Sequence, residues 1–92
     1  MIARSADRLR VSAPMRMFNT RVLLEAGLLQ LEGVRTVDLA EVAEADSSGL
    51  AVLIAWQRQA KAQGGCLLFA NVPDGLKALA ALYDLDVALG LA

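Results

Sequence analysis

Arg35-Thr36-Val37-Asp38-Leu39 leads through the acidic connection Glu41 to Ala45 into Asp46-Ser47-Ser48-Gly49 and then Leu50-Ala51-Val52-Leu53-Ile54-Ala55-Trp56. The first segment is β-like, with β-branched Thr36 and Val37 at its centre. The last begins a helical run. A serine pair at a strand-to-helix junction lies where free backbone N–H groups point outward, a place for capping, phosphorylation or docking.

Working outward, the central helix is expected from about Ser48 to Gln63, stopping at Gly64-Gly65. At about 100° per residue, Leu50, Leu53, Gln57 and Ala60 share a core face, with Ile54 and Trp56 on its flanks. The opposite face holds Ser47, Ala51, Ala55, Arg58 and Ala62. A solvated helix face normally carries Glu, Lys and Gln. Its alanines are either plain helix formers or a flat surface that lets another backbone come close.

Cys66 to Ala70 reads as an apolar strand, with Cys66 a buried reduced thiol. Asp74 is an N-cap candidate for a helix from Gly75 to about Tyr83, and the tail Asp84 to Ala92 is apolar and short. Upstream, Leu9-Arg10-Val11-Ser12 alternates as a short strand, Ala13-Pro14 turns, and Met15-Arg16-Met17 is expected to pair back as a second strand. Asn19 or Thr20 caps a helix to about Leu31, on which Val22, Leu23, Ala26, Leu29 and Gln30 recur at helical spacing, and Gly33 ends it. The order β-β-α-β-α-β-α implies right-handed crossovers and helices packed on a sheet.

The chain has 92 residues, expected to form a single domain, 1–92. At 57% hydrophobic and 4% aromatic, its core should be aliphatic. A net charge of −1 gives no global attraction to nucleic acid or anionic lipid. Arg4, Arg8, Arg10, Arg16 and Arg21 crowd the first quarter with Phe18 the one aromatic among them and no recognisable reading motif, so no nucleic-acid site is expected. Asp38, Glu41, Glu44 and Asp46 crowd one connection, but their spacing follows no metal motif, so no metal or cofactor is expected. Without histidine there is no Ser–His–Asp or Cys–His catalysis, and there is no phosphate-binding loop. The expectation is a non-enzyme. No signal peptide or membrane-length apolar run is visible, so a cytoplasmic location is expected, with any membrane contact indirect.

The pattern Val34-Arg35-Thr36-Val37-Asp38-Leu39, Val42, Ala45-Asp46-Ser47-Ser48-Gly49-Leu50-Ala51-Val52-Leu53, Ala60-Lys61-Ala62-Gln63-Gly64-Gly65, Leu67-Leu68-Phe69 and Val72-Pro73 resembles a STAS domain over roughly residues 8–85. Leu79-Ala80-Ala81-Leu82-Tyr83-Asp84-Leu85 is similar to the ending of MlaB-type STAS subunits, which serve a bacterial ABC transporter that maintains outer-membrane lipid asymmetry. Ala13 stands where STAS domains often carry glycine.

The resemblance implies an α/β fold: a mixed sheet of about four strands with three to four helices packed mainly on one side. It implies a protein-binding role, with two candidate partners. One is the ATPase subunit of a phospholipid ABC transporter, held at the cytoplasmic side of the inner membrane through Asp46, Ser47, Ser48, Gly49, Ala51, Ala55 and Arg58. The other is an anti-sigma-factor kinase, with Ser47 the phosphorylated residue of an anti-sigma-factor antagonist.

Overall fold

The computed structural model describes residues 2–91. Its elements are β1 (Ile2–Ser5), β2 (Arg8–Val11), α1 (Thr20–Leu28), β3 (Thr36–Asp38), α2 (Ser47–Ala62), β4 (Leu68–Ala70) and α3 (Asp74–Leu82). The four strands form a mixed sheet in the order β1-β2-β3-β4. β1 runs antiparallel to β2, while β2, β3 and β4 are parallel.

Alternation along the strands gives the sheet two unlike faces. Leu9, Val37 and Phe69 lie in one cross-strand row and are buried with Val11 beneath the helices. The other face carries Arg8, Arg10, Thr36, Asp38 and Leu68; no described helix covers it, Arg8 and Arg10 pair with carboxylates, and Leu68 is exposed.

α2 is the central helix of the layer. Leu50, Val52, Leu53, Trp56, Gln57 and Ala60 are all buried. Trp56 goes fully inside, not to a flank, because α1 offers Gly27 against its indole; a Cβ there would overlap the ring. The indole N–H donates to the Leu24 carbonyl at 3.2 Å. Gln57 is buried too. Its Nε2 donates to the Leu67 carbonyl at 2.9 Å, and its Oε1 accepts the Leu67 N–H at 2.8 Å.

Several expectations need correction. Met15-Arg16-Met17 is not a strand; Met15 makes one parallel bridge to Ala45, and the strand paired with β2 is Ile2–Ser5 instead. α1 ends at Leu28, with Leu23 and Gly27 inward and Val22 and Leu29 exposed, because the Trp56 contact sets its rotation. The Asn19 side chain does not cap α1; it folds back to accept the Arg16 N–H at 3.1 Å and donate to the Pro14 carbonyl. β4 begins at Leu68, and Cys66 is exposed in the turn before it. Pro73 is the N-cap of α3, and Asp74 is its first residue. The tail wraps as turns that bury Leu89; Ala92 lies outside the described residues.

Candidate functional site

Asp46 organises the junction between β3 and α2. It is the N-cap of α2, with extended backbone. Its Oδ1 accepts the Ser48 N–H at 2.9 Å and the Ser48 hydroxyl. Its Oδ2 accepts the Met17 N–H at 3.0 Å. One carboxylate thus caps a helix, a contribution of about 1 kcal/mol, and holds the chain entering α1. Backbone bonds reinforce the link: the Met15 N–H donates to Glu44 at 2.8 Å, and the Asp46 N–H donates to Met15 at 3.0 Å. The Ser48 hydroxyl, then the Met17 N–H, hold the Asp46 carboxyl below the usual carboxylate range.

The two serines have separate roles. The Ser48 hydroxyl is half-buried and committed to Asp46. Ser47 is exposed, and its hydroxyl has no hydrogen-bond partner among the described residues. Gly49 is buried and packs inward, contrary to its expected place on the contact surface. A Cβ there would lie 3.2 Å from the Met15 carbonyl and 3.4 Å from Leu76 Cδ2, so glycine lets α2 settle onto its neighbours. Ala51 and Arg58 are exposed and Ala55 is half-buried, so the outer face of α2 is open and smooth below Ser47. Ser48, Ala51 and Val52 line a shallow groove of about 240 Å³ with Thr20, Arg21 and Leu24 of α1.

The structure adds residues that sequence reasoning missed. Met17 and Phe18 are 80% and 75% exposed, immediately beside the Asp46 cap. The Arg16 guanidinium lies 6.0 Å from the Phe18 ring centroid and pairs with Glu44 at 2.9 Å. In the sequence, Met17 falls in a stretch expected to be a strand and Phe18 falls outside any helical or strand period, so neither is marked as a surface residue.

The two charge clusters meet in order. Arg8 pairs with Asp38 at 2.9 Å, Arg10 with Glu41 at 3.1 Å and Arg16 with Glu44 at 2.9 Å. Each exposed pair is worth under about 1 kcal/mol. Asp38 also accepts from Asn71 Nδ2 at 3.0 Å and the Ala40 N–H at 2.9 Å. Asn71, then Ala40 and Arg8, lower its pKa from 3.8 to about 2. Among the described residues, no group of three or more acidic, histidine or cysteine side chains converges to hold an ion. No described helix is long and apolar enough to cross a membrane.

A putative anti-sigma factor antagonist from Thermotoga maritima has a solved structure that superposes with a TM-score of 0.76 at 15% identity, covering 95% of this chain and 80% of that one. At that identity the likeness establishes a shared fold. No curated protein matches the chain. The family described as "Mlab, STAS domain" matches residues 2–91. With the four-stranded mixed sheet, the helix layer and the Asp46-capped α2 in place, the chain belongs to the MlaB-type STAS domain family.

Proposed function

We propose that this protein is a non-catalytic STAS subunit that docks on the ATPase of a phospholipid ABC transporter, at the cytoplasmic side of the inner membrane. The observation that carries the reading is the surface around the start of α2. An unbonded Ser47 hydroxyl, the small side chain of Ala51 and the exposed pair Met17–Phe18 lie on either side of one capping carboxylate. Exposed apolar residues beside a flat helix face are a protein-contact signature. Asp46, Ser47, Ala51, Ala55 and Arg58 form the contact, while Ser48 and Gly49 shape it from beneath. Docking shifts the ATPase between conformations through its preference for one of them. Affinity purification from native cells tests the reading. A transporter ATPase should copurify, and its hydrolysis rate should change when the chain is removed; an ATPase that elutes separately with an unchanged rate overturns it.

A second reading has its own support. The exposed Ser47 hydroxyl at a helix N-terminus can accept a phosphate, which the helix dipole favours, while the added charge of about −1.5 to −2 beside Asp46 and Glu44 would repel an acidic partner. This is the behaviour of an anti-sigma-factor antagonist. Copurification of a kinase-like anti-sigma factor in place of the ATPase would select it.

A further inference from the structure

Below the Ser47 turn, α2 and the chain after α3 enclose a groove of about 220 Å³ with a mainly apolar lining. Ile54 is half-buried on the α2 side, and Leu85 and Leu89 close the other. The Gln57 amide is committed to Leu67, so it offers no free polar group to an occupant. Arg58 and Lys61 flank this apolar floor from adjacent turns of α2. Both are exposed.

Arg8, Arg10, Arg16 and Arg21 each face a carboxylate of this chain. Arg58 and Lys61 face none among the described residues. Arg4, Arg35 and Lys77 also lack a carboxylate partner among the described residues; what distinguishes Arg58 and Lys61 is that both line the same apolar groove. Two uncompensated cations beside an aliphatic slot complement a segment carrying a carboxylate and a large aliphatic side chain. The groove is short and open, which suits one inserted side chain and not the length of a lipid acyl chain. Arg58 also belongs to the outer face of α2, so the groove continues the docking surface without a break.

We infer that the groove beside Arg58 and Lys61 binds an acidic, aliphatic segment of the ATPase subunit, extending the contact made at Ser47 and Ala51. The inference rests on the docking reading above. It assigns Arg58 and Lys61 to orientation and rate of association, as charges at the edge of an interface do.

The test is calorimetric affinity for the purified cognate ATPase subunit at about 50 mM and about 500 mM salt. Arg58→Glu combined with Lys61→Glu should weaken the complex at least about tenfold at low salt, with the difference shrinking at high salt. The neutral pair Arg58→Gln with Lys61→Gln should lose less, and circular dichroism should show the parent fold in both. If the Glu pair binds as tightly as the parent while Ala51→Glu blocks binding, the groove assignment fails, Arg58 falls outside the contact, and the docking reading stands on Asp46, Ser47, Ala51 and Ala55 alone. If the parent forms no complex, both fail. Two further outcomes overturn the inference: a dimer of the chain alone that the Glu pair dissociates, and cosedimentation with phosphatidylglycerol vesicles that the Glu pair abolishes. The first gives the groove to a second copy and the second to a membrane.

Discussion

The side-chain amide of Gln57 closes a two-bond ring with the backbone of Leu67, at 2.9 and 2.8 Å. The Leu68 N–H donates to Arg35, toward β3, so by alternation the polar groups of Leu67 point the other way. Gln57 occupies the place a further strand would take, and so seals part of an open sheet edge. A polar residue on the core stripe of α2 is there to satisfy the backbone. Gln57→Leu keeps the bulk and removes both bonds, leaving the buried Leu67 N–H unpaired and its C=O with only the weak Cys66 thiol at 3.9 Å. The expected loss is about 1–3 kcal/mol in urea denaturation, with concentration-dependent association in sedimentation. An unchanged denaturation midpoint would refute this role.

Leu53 is fully buried at the centre of α2. Leu53→Ala should cost about 2–5 kcal/mol, a large share of the stability of so small a domain. Denaturant melts of the two proteins measure it, and a loss under about 1 kcal/mol would show that the site collapses around the smaller side chain.

Gly27→Ala separates helix propensity from packing. In an exposed helix the change would add about 1 kcal/mol. Here the new methyl overlaps the Trp56 indole, and overpacking of this kind costs about 1–3 kcal/mol. A net loss of stability is expected, with a shift in tryptophan fluorescence as the ring moves. A gain would show that the indole yields freely.

Ala51→Glu should leave folding within about 0.5 kcal/mol of the parent, since Ala51 is exposed. It should still abolish docking, because the new charge would be buried against a partner without a counter-ion. Ser47→Asp should weaken the same complex through charge beside Asp46. Ser47→Ala should cost only one neutral hydrogen bond, about 0.5–1.5 kcal/mol. Pull-down against the ATPase checks all three, and undiminished binding by Ala51→Glu would place the contact elsewhere.

The acid limb of stability should depend on Asp38. Its pKa is lowered on folding, from 3.8 to about 2, so its contribution is complete above pH 3.8 and is lost as the pH falls through about 2. Asp46 acts in the same direction. Asp38→Asn should be less stable than the parent at neutral pH and should lose less between those limits. Parallel acid-dependent slopes for the two proteins would assign the titration to other groups.

Much of this architecture was legible in the sequence. Val37 between Thr36 and Asp38, the aliphatic stripe of α2 and the turn at Gly64 follow from period and propensity alone. The first hairpin was not. Ile2-Ala3-Arg4-Ser5 is weak strand material, and its turn uses Ala6 at φ 54°, where glycine or asparagine would have announced it. The rotation of α1 was hidden because it depends on one long-range contact, Trp56 against Gly27. Cys66 lies in an apolar run, yet the strand starts two residues later and leaves it outside. At the proposed contact, Asp46, Ser47 and Ala51 are the residues that motif and helical wheel single out. Met17 and Phe18 are not among them, since long-range links bring that segment beside α2: the Asp46 bond to Met17, the Met15 bridge to Ala45 and the Arg16 pair with Glu44.

The sheet order also sets a timetable for folding. β1 and β2 meet across a two-residue turn, Ser5 facing Arg8, and such hairpins close in about 1–10 μs. The parallel pairs join Arg8 to Thr36 and Thr36 to Leu68, each across a helix, so they wait on the closure of longer loops. During synthesis the hairpin can form before any parallel partner has emerged. β4 is made last of the strands, after the helix that carries Gln57, so the group that anchors Leu67, the residue just before it, is already present when Leu68 to Ala70 arrive.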